Sequence, residues 1–300
     1  MATSLSAIVV HHHRPELLTD CVAALTAGSR VPDEIIVVDN EAPAGGPPPI
    51  PETPSIRVIS RVENPGYSAS CNTGVDASTG DYLLFLNGDV MVSEACLERC
   101  MEAITSDVGV GIVTCRLRRL DGSLDHACHR GLPTPLASAA YKLRLDRIWP
   151  NSRRLGRYRL SWMDPATDHD VEACSGAFLL ISRALLGQIG GWDARYWFYG
   201  EDLDLCVRVG RSEKRVRYLA STWATHVKGA SSYVGVPDRD LRPDQRRTKR
   251  QVQAAILDSH ELFFREHLAP QASVPTRAAV ALMFSVERML QRIADRRRVG

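Results

Sequence analysis

Apolar residues along the first hundred positions fall into two alternating rhythms. Unbroken runs at residues 6–10 (SAIVV), 34–38 (EIIVV), 56–59, 82–86 (YLLFL) and 108–114 read as buried strands. Between them, Leu17, Leu18, Cys21, Val22 and Leu25 recur at helical spacing over residues 16–27. Residues 68–77 also fit a helix, and Ser93 caps one predicted to run to Ile104, with Glu94 in its first turn. Residues 42–54 are rich in Pro and Gly and predict a loop. Strand–helix alternation of this kind predicts an α/β fold, a mostly parallel sheet with helices on both faces. The rhythm weakens between 116 and 170, and irregular segments of that length in a compact domain are usually functional or mobile. It returns at 177–181 and 184–189, passes through GGWDARYWFYGEDLDLCVRV and a strand-like VRYLA, and closes with two helices, 246–267 and 276–298.

Composition narrows the function classes. With 300 residues, 44% hydrophobic and 24% charged, the chain supports one large α/β domain or two small ones. A net charge of +2 argues against a dedicated nucleic-acid binder. The charge is uneven: residues 242–300 carry 12 Lys+Arg against 6 Asp+Glu, and the remainder 25 against 29. The eight cysteines form no CxxC pair and lie mostly in apolar segments, which points to reduced core thiols. No signal peptide and no apolar run of about 18 residues is visible, so a cytoplasmic protein without a transmembrane helix is expected.

In open α/β sheets, ligands bind at the carboxyl ends of the strands. Three polar features sit there: His11-His12-His13-Arg14-Pro15, Asp39-Asn40 and Asn87-Gly88-Asp89. Each alone reads as a turn or helix cap, but three at equivalent strand ends point to a site. A nucleotide diphosphate needs its charge neutralised, and a divalent metal held by carboxylates and water is the usual solution. Asp89 is a suitable hard ligand, and Gly88 would let the backbone approach a pyrophosphate. No GxGxxG or GxxxxGK[ST] occurs, so neither a dinucleotide site nor a P-loop is supported. Glu201, Asp202 and Asp204 crowd three acids at the start of a predicted helix, beside Trp192, Tyr196, Trp197, Phe198 and Tyr199. Acids repel unless they share a proton or a cation. Aromatic faces beside acids suit sugar binding, while core aromatics under a capped helix explain the same pattern equally well.

The ordered series NPGYSASCNTGVDASTGDYLLFLNGDV, GAFLLISRALLGQIGGWDARYWFYGEDLDLCVRV and THVKGAS resembles the inverting family 2 glycosyltransferases, and within them a bacterial rhamnosyltransferase-like subgroup, over roughly residues 5–268. The resemblance implies a GT-A fold, a Rossmann-like nucleotide-diphospho-sugar transferase sheet followed by C-terminal helices. It implies a catalytic domain at 1–240, with a donor half at 1–115 and an acceptor half at 116–240, and a basic helical extension at 241–300. It further implies an inverting, metal-dependent hexosyltransferase with Mg²⁺ or Mn²⁺, moving rhamnose from a dTDP-rhamnose-like donor in cell-surface polysaccharide synthesis. UDP-galactofuranose, UDP-GlcNAc and GDP-mannose are alternative donors. A sugar nucleotidyltransferase and a non-catalytic glycan-binding protein are alternative functions.

By the same resemblance Asp202 is the general base, and Glu201, Asp193, Trp192 and Trp197 face the acceptor. Asp39, Asn64, Asn72, Asn87 and Gly88 face the donor, and Asp89 and His226 hold the metal, with Lys228 near the phosphates; His12, in a triplet that departs from the family, is read separately as packing near the donor base. Two departures stand out: His11-His12-His13 replaces a Thr-Tyr-Asn-like triplet, and EAPAGGPPP follows Asp39-Asn40 where the family often has a Ser and a second Asp. Neighbours on an extended chain point to opposite faces, so three consecutive histidines cannot share one ion without distortion. His126, Cys128 and His129 lack a fourth ligand at zinc spacing, and a loop is expected there. Residues 276–298 form a basic amphipathic helix, suited either to an anionic membrane surface or to packing on the domain or a second copy. The partners expected are therefore a nucleotide-sugar donor, a glycan or polyprenyl-linked acceptor, a peripheral membrane contact or a homodimer, and no nucleic acid.

Overall fold

The computed structural model describes residues 3–40, 48–229, 233–234 and 236–296. Residues 42–47 of the predicted loop at 42–54, the Ala230-Ser231 end of the THVKGAS motif and the last two positions of the predicted helix 276–298 lie outside the described residues. Among the described residues nine strands form a single sheet: β1 Leu5–His11, β2 Glu34–Asp39, β3 Ile56–Ser60, β4 Tyr82–Asn87, β5 Val90–Val92, β6 Val110–Arg118, β7 His169–Val171, β8 Phe178–Ser182 and β9 Arg215–His226. The order is β3-β2-β1-β4-β8-β6-β9-β5, with β7 also on β9. The four strands β3-β2-β1-β4 run parallel, as the alternating pattern predicts. Beyond β4 the sheet is mixed: β8 is antiparallel to both β4 and β6, and β6 is parallel to β9.

Helices α1 Pro15–Ala27, α2 Tyr67–Ala77 and α3 Cys96–Ser106 alternate with the first six strands. Two short helices, α4 Pro135–Lys142 and α5 Leu145–Ile148, punctuate the irregular segment. After α6 Arg183–Gln188 come α7 Glu201–Arg211 and the terminal pair α8 Pro243–Phe263 and α9 Val274–Arg296. Strands β1, β2 and β4 are apolar at almost every position because helices cover both faces. All eight cysteines are free and buried. No helix among the described residues is long and apolar enough to cross a membrane.

The stretch YLLFLNGDVMV does not form one strand. β4 ends at Asn87, the chain turns at Gly88-Asp89, and Val90–Val92 becomes β5. β5 pairs antiparallel with the end of β9, placing Val90 opposite His226. The Val227 amide then donates to the Asp89 carbonyl at 3.0 Å. This pairing brings two residues 137 positions apart together at the edge of the cleft. The turn itself does not demand glycine, since a Cβ at Gly88 would meet its neighbours at 3.4 Å or more. Gly66 is different: its φ is +93° and a Cβ would lie 2.3 Å from the Trp197 carbonyl oxygen.

Candidate active site

The carboxyl ends of β1 and β4 open into a cavity of about 320 Å³. His11, His12 and His13 line it at the end of β1, Asn87, Gly88 and Asp89 at the end of β4. Asn64 and Trp197 line it from two loops, Glu201 and Asp202 from the first turn of α7, and His226 and Lys228 from the end of β9. Thr248, Gln251 and Val252 of α8 close one wall, so the C-terminal helices contribute to the cavity as well as to the surface. Most of the residues expected from the sequence therefore meet in one place. Asp39, Asn72, Trp192 and Asp193 are not among the lining residues.

Each of these four has a definite place. Asp39 is buried, and its carboxylate is hydrogen-bonded to His11 Nδ1 at 2.8 Å. The β1–β2 register sets this contact by pairing His11 with Asp39. Asn72 clasps the Trp192 backbone, donating to its carbonyl at 2.8 Å and accepting from its amide at 3.0 Å. The Trp192 ring packs edge-on against Phe85 and Tyr67 in the core. Asp193 is paired with Arg195 at 2.7 Å. Core packing thus accounts for Trp192, whereas Trp197, Phe198 and Tyr199 of the same aromatic run reach the cavity. Trp197 is tied to the opposite loop: its Nε1 donates to the Asn64 carbonyl at 3.2 Å and its carbonyl accepts from the Tyr67 amide at 2.8 Å. That close approach is what requires glycine at position 66.

Asp202 is held in place on several sides. Arg130 donates to its Oδ2 at 2.6 Å, the Gly176 amide to the same oxygen at 3.2 Å, and the Leu203 amide to Oδ1 at 2.8 Å. Glu201, one residue earlier and equally buried, leaves its Oε2 without a hydrogen-bond partner. Burial, together with the neighbouring Asp202 charge, pushes the Glu201 carboxyl well above its ordinary pKa. The pair divides accordingly: the Glu201 carboxyl is pushed toward its protonated form, while Asp202 is the acid paired with Arg130. The third acid, Asp204, is absorbed structurally by Arg208 at 2.6 Å and His267 at 2.7 Å.

At the other end of the cavity, His226 stands between two aspartates. Its Nδ1 is 3.0 Å from Asp125 Oδ2, and its Nε2 is 3.5 Å from Asp89 Oδ1. Burial works against charge on the ring, but Asp125 and Asp89 outweigh it and raise its pKa to about 9. Asp125 is fully buried and also accepts from Lys228 Nζ at 2.5 Å. Burial alone would raise its pKa; His226 and Lys228 hold it far below the usual carboxylate range.

Among the described residues no cluster of three or more His, Cys, Asp or Glu could hold an ion alone. The two that converge do fit a divalent cation shared with a ligand. Asp89 Oδ1 and His226 Nε2, a carboxylate oxygen and an imidazole nitrogen 3.5 Å apart, are the two atoms that would hold it. The remaining positions would fall to a diphosphate and water. The histidines and cysteine at 126–129 assemble no such set: Cys128 Sγ lies against the Asp125 carbonyl, and His129 pairs with His169 at 2.8 Å.

Two functional neighbours escape the sequence reading, Arg130 and Asp125. Both lie in the irregular stretch after β6, where no periodicity marks them; the length of that stretch is the single signal pointing there. Backbone bonds between Arg130 and Ala173 lay it alongside the segment leading into β8, which carries Arg130 to Asp202.

The profile of "Glycosyl transferase family 2" matches residues 6–189. An N-acetylglucosaminyl-diphospho-decaprenol L-rhamnosyltransferase of Mycobacterium tuberculosis is 25% identical over 244 residues, covering 77% of this chain and 78% of that one. Rhamnosyltransferase WbbL of Escherichia coli is 25% identical over 146 residues, 49% of this chain and 52% of that one. A mannosyltransferase of Pyrobaculum calidifontis, solved with GDP-Man and Mn²⁺, aligns with 97% of this chain and 84% of its own at a TM-score of 0.52 and 15% identity, a likeness of fold.

Proposed function

The chain belongs to glycosyl transferase family 2, and on that footing we propose an inverting, metal-dependent rhamnosyltransferase that uses dTDP-rhamnose and a polyprenyl-diphosphate-linked glycan acceptor in polysaccharide synthesis. The observation that carries this reading is the convergence of Asp202, Asp89, Asn87 and His226 on one cavity at the strand ends. The named activity of the mycobacterial relative supports the choice of sugar and acceptor.

The donor diphosphate lies by Asn87, Gly88 and Asp89, with Lys228 and the histidines of β1 beside it. Asp89 and His226 would hold a divalent cation, which would supply Lewis-acid stabilisation to the departing diphosphate. Asp125 accepts from His226 Nδ1 and orients the ring so that Nε2 faces Asp89, and Nε2 would release its proton on binding the cation. Asp202 takes the proton from the acceptor hydroxyl, whose oxygen attacks the anomeric carbon from the face opposite the nucleotide, so the configuration inverts in one step. Arg130 positions Asp202, and protonated Glu201 donates a hydrogen bond to an acceptor oxygen. The ring of Trp197 packs on sugar C–H groups.

The test offers purified protein a panel of dTDP-rhamnose, UDP-galactofuranose, UDP-GlcNAc and GDP-mannose with a lipid-linked N-acetylglucosamine acceptor, with Mn²⁺ or with EDTA. Transfer is expected from dTDP-rhamnose with Mn²⁺, and Asp202→Asn should lower its rate by roughly 10²–10⁴-fold. Full activity in Asp202→Asn would overturn the assignment of the base.

A further inference from the structure

The apolar stripe of α9 points the wrong way for a helix that merely packs on its own domain. Phe284 is buried, and Arg288 pairs with Asp258 and Glu261 of α8 on that same side. Leu282, Val286, Met289, Leu290 and Ile293 are exposed, at 39–66% of their surface. At about 100° per residue these five occupy an arc of roughly 100°, with Phe284 on the far side. A second exposed apolar group lies next to it. Lys142, at the end of α4, bonds Glu287 of α9 at 2.7 Å, and Leu143, Ile148 and Trp149 follow with 53–68% exposure.

Charge distinguishes this face from an ordinary sticky patch. Residues 141–159 carry seven Lys+Arg against one acid, and Arg144, Arg147, Arg153 and Arg154 are exposed, with no ion-pair partner among the described residues. Exposed apolar side chains interleaved with exposed arginines match an anionic lipid surface, where the apolar groups enter the headgroup layer and the arginines meet phosphates. A two-fold contact with a second copy through the same face would bring two such basic segments together, which like-charge repulsion opposes. The helix that carries this face is joined to the cavity wall: α8 lines the cavity with Thr248, Gln251 and Val252, and its Asp258 and Glu261 pair with Arg288 of α9.

We propose that the exposed arc of α9 and the basic segment 141–159 together form a docking face for an anionic lipid bilayer. The inference extends the proposed function by stating where a lipid-linked acceptor is met. It is tested without any sugar donor, so its failure would leave the transferase reading standing.

The full chain is sedimented with sucrose-loaded vesicles of phosphatidylcholine, with or without 30% phosphatidylglycerol, at about 0.1 M salt, a Debye length of about 10 Å. Binding is expected to be at least tenfold tighter with phosphatidylglycerol and to fall as salt rises. Each arginine near such a surface strengthens attachment roughly fivefold, so changing Arg144, Arg147, Arg153 and Arg154 to Gln should weaken it at least tenfold. Leu282→Ser with Leu290→Ser should weaken it independently, and neither set touches the cavity. Equal partition onto both vesicle types, or no binding to either, overturns the proposal. So does self-association in sedimentation velocity that the Leu282→Ser, Leu290→Ser variant abolishes.

Discussion

Arg130→Gln tests the link between the irregular segment and the proposed base directly. The Arg130 and Asp202 side chains are only 12% and 8% exposed, and their atoms approach to 2.6 Å. Coulomb attraction of two charges about 4 Å apart at an effective dielectric of about 20 is about 4 kcal/mol. Breaking a buried pair by removing one partner typically costs about 3–5 kcal/mol. Asp202 would keep the Gly176 and Leu203 amides, which places the expected loss near the lower end, about 3 kcal/mol. The assay is a double-mutant cycle by urea unfolding at pH 7, with Arg130→Gln, Asp202→Asn and the two combined. The combined variant should be less destabilised than the sum of the singles by about 2–3 kcal/mol. Additivity within about 0.5 kcal/mol would refute the reasoning, because it would mean the two charges do not depend on one another. Activity gives a second readout: Arg130→Gln should reduce kcat more than it changes donor KM, since Arg130 touches the base and not the diphosphate end of the cavity.

Four further outcomes follow from the same geometry. Asp125→Asn should weaken Mn²⁺-dependent donor binding in calorimetry by about 10–100-fold, the usual effect of losing the partner of a metal-facing histidine; unchanged affinity would remove Asp125 from the site. Asp89→Ala should abolish the difference between donor binding with Mn²⁺ and with EDTA, and a preserved difference would show the cation to be held elsewhere. For Glu201, burial and Asp202 raise the folded pKa above the unfolded 4.5, so the folded chain holds a proton that the unfolded chain has lost. Its contribution to stability is present below about pH 4.5 and declines as pH climbs towards the folded value; Glu201→Gln should flatten that decline, and a stability difference constant between pH 5 and 8 would contradict it. Gly66→Ala should destabilise by more than the roughly 1 kcal/mol of an ordinary exposed glycine change, because a Cβ would sit 2.3 Å from the Trp197 carbonyl; a neutral result by thermal unfolding would show that the two loops can part.

What the sequence made legible was what periodicity and strand-end position encode. The runs SAIVV, EIIVV and YLLFL marked β1, β2 and β4 because strands covered on both faces must be apolar throughout. Asn87 and Asp89, at the end of one of them, could be placed without knowing what lay across the cleft. His226 needed more than position, since the contact with Asp89 exists only through the β5–β9 pairing. A three-residue strand such as Val90–Val92 is too short to announce itself. The aromatic run at 192–199 shows the limit most clearly. Spacing alone could not tell which of its rings serve the core and which the cavity, and the outcome was divided: Trp192 is buried under Tyr67 and Phe85, while Trp197 is held at the rim by Asn64 and the Tyr67 amide. Arg130 and Asp125 were illegible for a different reason. A side chain that completes a site from an irregular segment is placed by long-range backbone bonds, here Arg130 to Ala173, and the pattern of neighbours along the chain carries no trace of them. The consequence for the mechanism is specific: the proposed base Asp202 and the proposed metal-facing His226 are each held by a charged partner from the same stretch after β6, Arg130 for one and Asp125 for the other, five positions apart. Movement of that one stretch would disturb both ends of the cavity together, so donor binding and proton transfer should fail in concert when it is loosened.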